Sequence, residues 1–271
     1  MLECVMNVSE GRDPAVLDAL ERAAGSTLLD LHTDVDHHRS VFTLGGAVAT
    51  VERAARALAR DAAHRVRLSG HDGVHPRLGV IDVVPFVALR PETQTIACDA
   101  ARRYANWSAT ELGVPVFLYD DADPAHRSLP AVRRDAFARR QPDLGPALPH
   151  PQLGATAVGA RRPLVAVNCE LDRDDFAIAR AVASAVRERD GGLPGVRALG
   201  LRLASRERTQ VSMNLVALER TGLETACAAV RRHARRAGAD VARVELVGLL
   251  PAEELARCSD TFLAWTGISE S

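Results

Sequence analysis

Gly70-His71-Asp72-Gly73-Val74-His75-Pro76-Arg77-Leu78-Gly79-Val80-Ile81-Asp82-Val83-Val84-Pro85-Phe86 joins a polar, glycine-rich segment to an unbroken apolar run. A helix cannot cross Gly73 and Pro76 cheaply, so this is a loop feeding a strand, expected over Gly79 to Val87. Working back from it, an Ala-rich helix is predicted over Val48 to Val66, with strands at Thr27 to Leu31 and Ser40 to Leu44. Asp13 followed by Pro14 marks the start of an earlier helix, whose apolar face carries Val16, Leu17 and Leu20. Leu2 to Met6 is the first strand, and His32 to Arg39 reads as a polar loop. The order is βαββαβ.

Beyond this unit a helix is expected over Glu92 to Leu112 and a strand over Pro115 to Tyr119. Asp120 to Pro151 has little periodicity and reads as a long functional or mobile excursion. The second half returns to the first pattern. Strands are expected at Leu164 to Cys169, Val196 to Ala204, Thr209 to Leu218 and Val244 to Leu250, with helices over Asp172 to Arg189 and Leu223 to Ala237. The predicted class is α+β, an α/β sandwich of two ferredoxin-like βαββαβ subdomains. In each, both helices pack on one face of an antiparallel sheet. The boundary falls at Arg162-Pro163, giving subdomains over residues 1–162 and 163–271, and a cleft between two such units is the default ligand site. No residue-level repeat relates the halves, so the doubling rests on element order.

Composition limits the partners. The 271 residues are 47% hydrophobic and 25% charged, with a formal net charge of −1. That balance gives no reason to expect a nucleic-acid or membrane-surface binder. All basic residues are arginine. Five scattered cysteines without a CxxC pair read as reduced thiols. The acidic N-terminus lacks signal-peptide character and no apolar run reaches membrane-spanning length, so the expected location is the cytoplasm. A homodimer is expected because closed two-fold assemblies are the commonest.

Five clusters could carry chemistry. His71 and His75 stand four residues apart, but the intervening Gly73 removes the helical face such spacing needs, and no third ligand is nearby. No metal site is therefore expected. A loop histidine near neutral pKa suits proton transfer, against the plainer reading of a hydrogen-bonded loop residue. Asp34, Asp36, His37, His38 and Arg39 form a second polar group, readable as acid/base support or as a solvated turn. Asn7 to Arg12 leads into a helix N-terminus, where anions bind. Capping accounts for Ser9 and Asp13 better than for Glu10 and Arg12. Pro146, Pro149 and Pro151, set between Gly145 and Gly154, make a stiff apolar wall or a plain linker. Gln210, Ser212 and Asn214 alternate onto one face of a strand, either toward a ligand or toward solvent.

These residues resemble the formiminotransferase family along nearly the whole chain. The matching blocks include Glu3-Cys4-Val5 with Asn7 and Ser9-Glu10-Gly11; Asp36-His37 with Arg39-Ser40-Val41-Phe42-Thr43; His75-Pro76-Arg77 with Gly79, Asp82-Val83 and Pro85-Phe86; and Leu112-Gly113-Val114-Pro115-Val116. They continue in Gly145-Pro146, Gly154-Ala155-Thr156, Val158-Gly159-Ala160-Arg161, Gln210-Val211-Ser212 with Asn214-Leu215, and Glu245-Leu246-Val247-Gly248-Leu249.

The resemblance implies two α/β subdomains with tetrahydrofolate, a co-substrate, in a tunnel between them. The implied reaction moves a formimino group from N-formimino-L-glutamate to N5 of tetrahydrofolate. His75, the histidine of the HPRxG motif, is the implied catalytic residue. The implied folate segment is Gly145, Pro146, Ala147, Leu148, Pro149, His150, Pro151, Gln152, Leu153 and Gly154. Glutamate's carboxylates need cations, and Arg39, Arg77 and Arg161 are the candidates, with Asn7 and Glu10 as further substrate contacts. No cyclodeaminase domain is expected on this chain. His32 stands where family members often carry Asp, Leu144 replaces an aromatic residue, and Leu153 stands where the animal proteins have Trp. These departures leave open a relative using another formimino or formyl donor, and a folate-binding protein without turnover remains the contrasting class.

Overall fold

The structure is a computed structural model that describes residues 1–269. Its first strand, β1 (Leu2–Val8), alternates strictly: Leu2, Cys4, Met6 and Val8 are buried, whereas Glu3, Val5 and Asn7 point to the other side. That period of two fixes which side of β1 enters the larger core. Asp13 caps α1 (Pro14–Ala24) by accepting from the Ala15 and Val16 N–H groups, and Pro14 opens the helix. β2 (Leu28–Asp34) and β3 (Arg39–Gly46) form a hairpin, followed by α2 (Val48–Arg65) and β4 (Ile81–Val87). Val51, Ala55, Leu58 and Ala62 of α2 are fully buried against β1 and β3, at the spacing of one helical face.

α3 (Gln94–Glu111), β5 (Val116–Asp120), α4 (Leu129–Asp135) and β6 (Thr156–Arg161) complete the first unit. The sheet order is β2-β3-β1-β4-β6-β5. Its first four strands are mutually antiparallel, and β6 then pairs in parallel with both β4 and β5. The first unit is thus larger than a βαββαβ module, and its sheet is mixed rather than antiparallel. β6 gave no separate signal in the sequence because its small residues, Ala157, Gly159 and Ala160, lack β-branched character. Helices also occupy both faces. Val132 of α4 packs with Val83, Phe117, Tyr119, Ala155 and Ala157, a cluster separate from the one under α1, α2 and α3.

The second unit contains β7 (Val165–Leu171), α5 (Phe176–Val186), β8 (Val196–Leu203), β9 (Arg208–Leu215), α6 (Leu223–Arg236) and β10 (Val241–Val247), then the short helices α7 (Ala252–Leu255) and α8 (Asp260–Thr266). Its four strands run in the order β10-β7-β9-β8, all antiparallel. α5 starts later than its sequence pattern suggested, because Asp175 accepts from Ala177 N–H and Ile178 N–H and so sets the N-terminus. The chain divides into Met1–Arg162 and Pro163–Ser271. All five cysteines are free, and among the described residues no helix is long and apolar enough to cross a membrane.

Candidate active site around His75

Four segments converge at the C-terminal end of β1: the turn after β1, the β2–β3 turn, the loop before β4, and α4. The loop is pinned from several sides. Arg12 pairs with Asp72 at 2.6 Å and donates to Val35 O. Val74 N–H donates to Asp36 O, and His71 Nε2 bonds His38 O at 3.0 Å. The His71 and His38 rings stack with centroids 4.1 Å apart. Gly73 must be glycine, because a Cβ there would meet the backbone carbonyl of His37. At Gly79 a Cβ would strike the Leu153 and Ala155 carbonyls, so the loop's far end is held backbone to backbone.

Asp82 lies beneath the loop with no solvent exposure. It accepts from Arg39 Nη1 at 2.5 Å, Arg133 Nη2 at 2.6 Å and Leu78 N–H at 2.6 Å. Burial alone would raise its pKa, but the Arg39 and Arg133 guanidinium groups and the Leu78 N–H outweigh that and hold it at about 2. Asp82 is therefore an anion at every working pH.

His75 is half-buried above this centre, its ring 5.6 Å from that of His37. Its Nδ1 is 2.8 Å from Pro76 O. A carbonyl oxygen can only accept, so Nδ1 carries the proton and Nε2 keeps a lone pair. Burial, then the nearby Arg39 and Arg133 cations, push its pKa well below the usual imidazole range. At neutral pH it is an uncharged ring ready to accept a proton.

The other predicted residues fall into distinct positions. Arg77 curls back on its own loop, its Nη2 donating to Gly73 O at 2.5 Å and His75 O at 2.6 Å. Arg39 Nε donates to Asn7 Oδ1, and Asn7 Nδ2 to Val5 O. Both Arg39 and Asn7 therefore brace the same corner. Glu10 Oε1 accepts from the Gly11, Arg12 and Asp13 N–H groups at 2.7–3.0 Å, so its nearest task is to order the start of α1. Arg161 ends β6, with Nη1 on Arg162 O at 3.0 Å. The stretch read as a polar loop from His32 to Arg39 is half strand: His32, Thr33 and Asp34 end β2, His32 pairing with Val41, Arg39 opens β3, and residues 35–38 turn.

The proline-rich segment has two parts. Gly145 to Pro149 is exposed, with Leu148 76% accessible. His150 to Gly154 closes a tight loop, in which His150 N–H bonds Gly154 O and His150 Nδ1 accepts from Gln152 and Leu153 N–H. This loop is tied to the His75 region through Val80 N–H to Leu153 O and Ala155 N–H to Leu78 O. The exposed Pro151 and Gln152 ride on it, whereas the Leu153 side chain is only 7% accessible and belongs to the core. In the second unit, Gln210 is buried, Ser212 intermediate and Asn214 exposed along one face of β9.

Two residues of this site escaped the sequence reading. Asp82 stood inside the matched block without a role, and Arg133 lay in the aperiodic excursion. A lone acid inside an apolar strand was the available signal for Asp82. Among the described residues no group of three His, Cys, Asp or Glu side chains is arranged to hold a metal ion.

Comparison with known proteins follows the same boundaries. The N-terminal subdomain of the formiminotransferase domain matches residues 1–161, and the formiminotransferase domain matches residues 166–269. A glutamate formimidoyltransferase of Streptococcus pyogenes serotype M1 is 38% identical over 278 residues, covering 97% of this chain and 93% of that protein. One from Thermoplasma acidophilum is 34% identical over 287 residues, covering 100% of this chain and 94% of that protein. The formimidoyltransferase-cyclodeaminase of Sus scrofa is 36% identical over 278 residues, 94% of this chain and 51% of that protein.

Proposed function

Since this chain belongs to the formiminotransferase family, we infer that it transfers the formimino group of N-formimino-L-glutamate to N5 of tetrahydrofolate and releases glutamate. The observation that carries this reading is His75, a neutral imidazole whose Nε2 lone pair is set by the Nδ1–Pro76 O bond, within a full-length family match.

The chemistry asks for one group that takes a proton and returns it. N5 attacks the formimino carbon, a new C–N bond forms, and the C=N π electrons move to the imino nitrogen. Nε2 of His75 takes the N5 proton. The tetrahedral intermediate collapses as the bond from carbon to glutamate's nitrogen breaks, and the imidazolium returns the proton to that nitrogen. A ring whose charged form is disfavoured gives its proton up readily. Arg161, Arg77 and Arg39 supply positive field for glutamate's carboxylates. Arg39 and Arg77 act more through charge than through direct bonds, since Asp82, Asn7, Gly73 and His75 already engage them. Gly145 to Pro149 offers an exposed apolar wall for the pterin, continued by the loop through His150, Pro151, Gln152 and Gly154. We place the protein in the cytoplasm on its five free thiols, and as a homodimer on the general frequency of closed two-fold assemblies.

The test is a coupled assay of glutamate release with purified protein, N-formimino-L-glutamate and tetrahydrofolate. Release that needs both substrates, and that falls by about 10²–10⁴-fold in His75→Gln, is expected. Absence of release from folded protein, with tetrahydrofolate bound, would point to another donor. Full turnover by His75→Gln would remove the base from the mechanism.

A further inference from the structure

Arg133 reaches the His75 loop from α4, a helix that periodicity did not reveal. Its guanidinium makes two bonds at once. Nη2 donates to Asp82 Oδ2 at 2.6 Å, and Nη1 donates to Pro76 O. Pro76 O is also the atom to which His75 Nδ1–H donates. One carbonyl therefore receives both the catalytic ring and a guanidinium that is anchored on a buried anion. The side chain of Arg133 is itself only 18% exposed. The planar fork of arginine spans the two acceptors, a task that a single ammonium cannot copy.

We propose that Arg133 is a positioning residue for His75: by tying Pro76 O to Asp82, it fixes the acceptor that selects the Nδ1–H tautomer and leaves Nε2 facing the reacting atoms. The proposal rests on the reading of His75 as the proton acceptor. Arg133 does not touch the reacting atoms; it acts through Pro76 O. Without it, the Pro76 peptide is free to rotate away from Nδ1, and the ring can populate the tautomer that blocks Nε2. The charge of Arg133 works in the same direction. Around His75 stand Arg39 from β3, Arg133 from α4, Asp82 from β4 and His37 from the β2–β3 turn. Of these, only Asp82 favours the imidazolium, and removal of Arg133 leaves it less opposed.

The experiment uses the full chain labelled with ¹⁵N in histidine. Long-range ¹H–¹⁵N spectra read the His75 tautomer directly, with assignment by His75→Gln. Wild type is expected to show a protonated Nδ1 and an unprotonated Nε2. Arg133→Met is expected to show a mixture of tautomers and to lower kcat about tenfold or more, with KM for both substrates within about threefold. The acid limb of its pH–rate profile should move upward, because a cation beside the ring has been removed. Arg133→Lys keeps the charge at Asp82 and serves if the Met variant does not fold. It should show the tautomer mixture with a smaller displacement of the acid limb. A wild-type tautomer in either folded variant overturns the proposal, whatever the activity. The base assignment fails separately, through turnover by His75→Gln, and that outcome leaves the tautomer measurement intact.

Discussion

Arg39 and Asp82 meet at 2.5 Å from the two strands that flank β1, and Asp82 has no access to solvent. Arg133 adds a second cation to the same carboxylate. Such a buried group contributes little net stability when intact, but it is costly to break from one side. Asp82→Asn leaves two guanidinium groups without their anion. It should lower stability by about 3–5 kcal/mol in chemical denaturation, and folded protein should have lost most turnover because the His75 loop is released. Unchanged stability would show that solvent reaches this corner.

Glu10 separates a backbone role from a substrate role. Its Oε1 takes three N–H groups at the start of α1. Glu10→Ala should cost about 1–3 kcal/mol, whereas Glu10→Gln, which keeps an acceptor oxygen, should recover most of it. If the side chain acts only on the backbone, KM for formiminoglutamate stays near wild type in both. A large rise in KM for Glu10→Gln at unchanged melting temperature would restore the substrate role.

Four imidazoles make stability depend on pH. Burial lowers the pKa of His38 and of His71, burial with Arg232 and Arg236 lowers that of His233, and burial with Arg39 and Arg133 lowers that of His75 still further. Below about pH 6.5 the unfolded chain therefore binds more protons than the native one, so stability is full above that pH and declines as pH falls. Asp82, held at about 2, adds a separate contribution that disappears only in strong acid, as pH falls through about 4 toward 2. Melting curves from pH 8 to 5 should show the fall, and His38→Asn with His71→Asn should flatten it. A level profile in wild type would contradict the lowered values.

Leu148 tests the exposed wall. With 76% of its surface accessible, it makes little contribution to the core. Leu148→Asp should leave the melting temperature unchanged and raise KM for tetrahydrofolate about tenfold or more, by placing a charge where an apolar ring would lie. An unaltered KM would remove Gly145 to Pro149 from the folate site.

The sequence read well where periodicity and capping agree. α2 and β1 follow their apolar patterns, and Asp13-Pro14 marks the start of α1. It read poorly where ion pairs do the organising. Within the excursion after β5, Arg127 binds the buried Asp123, and Arg140 binds Asp143 and Leu118 O. These bonds hold α4 in place, yet they leave no hydrophobic period. Arg133 was therefore invisible, since nothing in the local pattern tells which of 34 arginines reaches a buried carboxylate. Glycine and proline made His75 legible as a loop residue, and only the resemblance of His75-Pro76-Arg77 with Gly79 to the family's motif singled it out from His71. The role of Leu153 was not legible, because only the fold shows that its side chain turns into the core while its carbonyl holds Val80.

The order of strands also dictates an order of events during synthesis. β5 lies at the edge of its sheet, and its only strand partner among the described residues is β6, which the ribosome delivers after α4 and the proline-rich stretch have already emerged. Until Arg161 is out, β5 has no complete strand beside it, and its backbone bonds reach only the segment that follows it, Val116 with Leu144 and Asp120 with Arg127. β6 lies between β4 and β5, and the loop at His150 that leads into it is bonded to Leu78 and Val80. The corner around His75 thus draws mostly on residues that precede β6, with Arg39, His37, Asp82 and Arg133 all ahead of Thr156, and the backbone bond from Ala155 to Leu78 is among the last to be supplied.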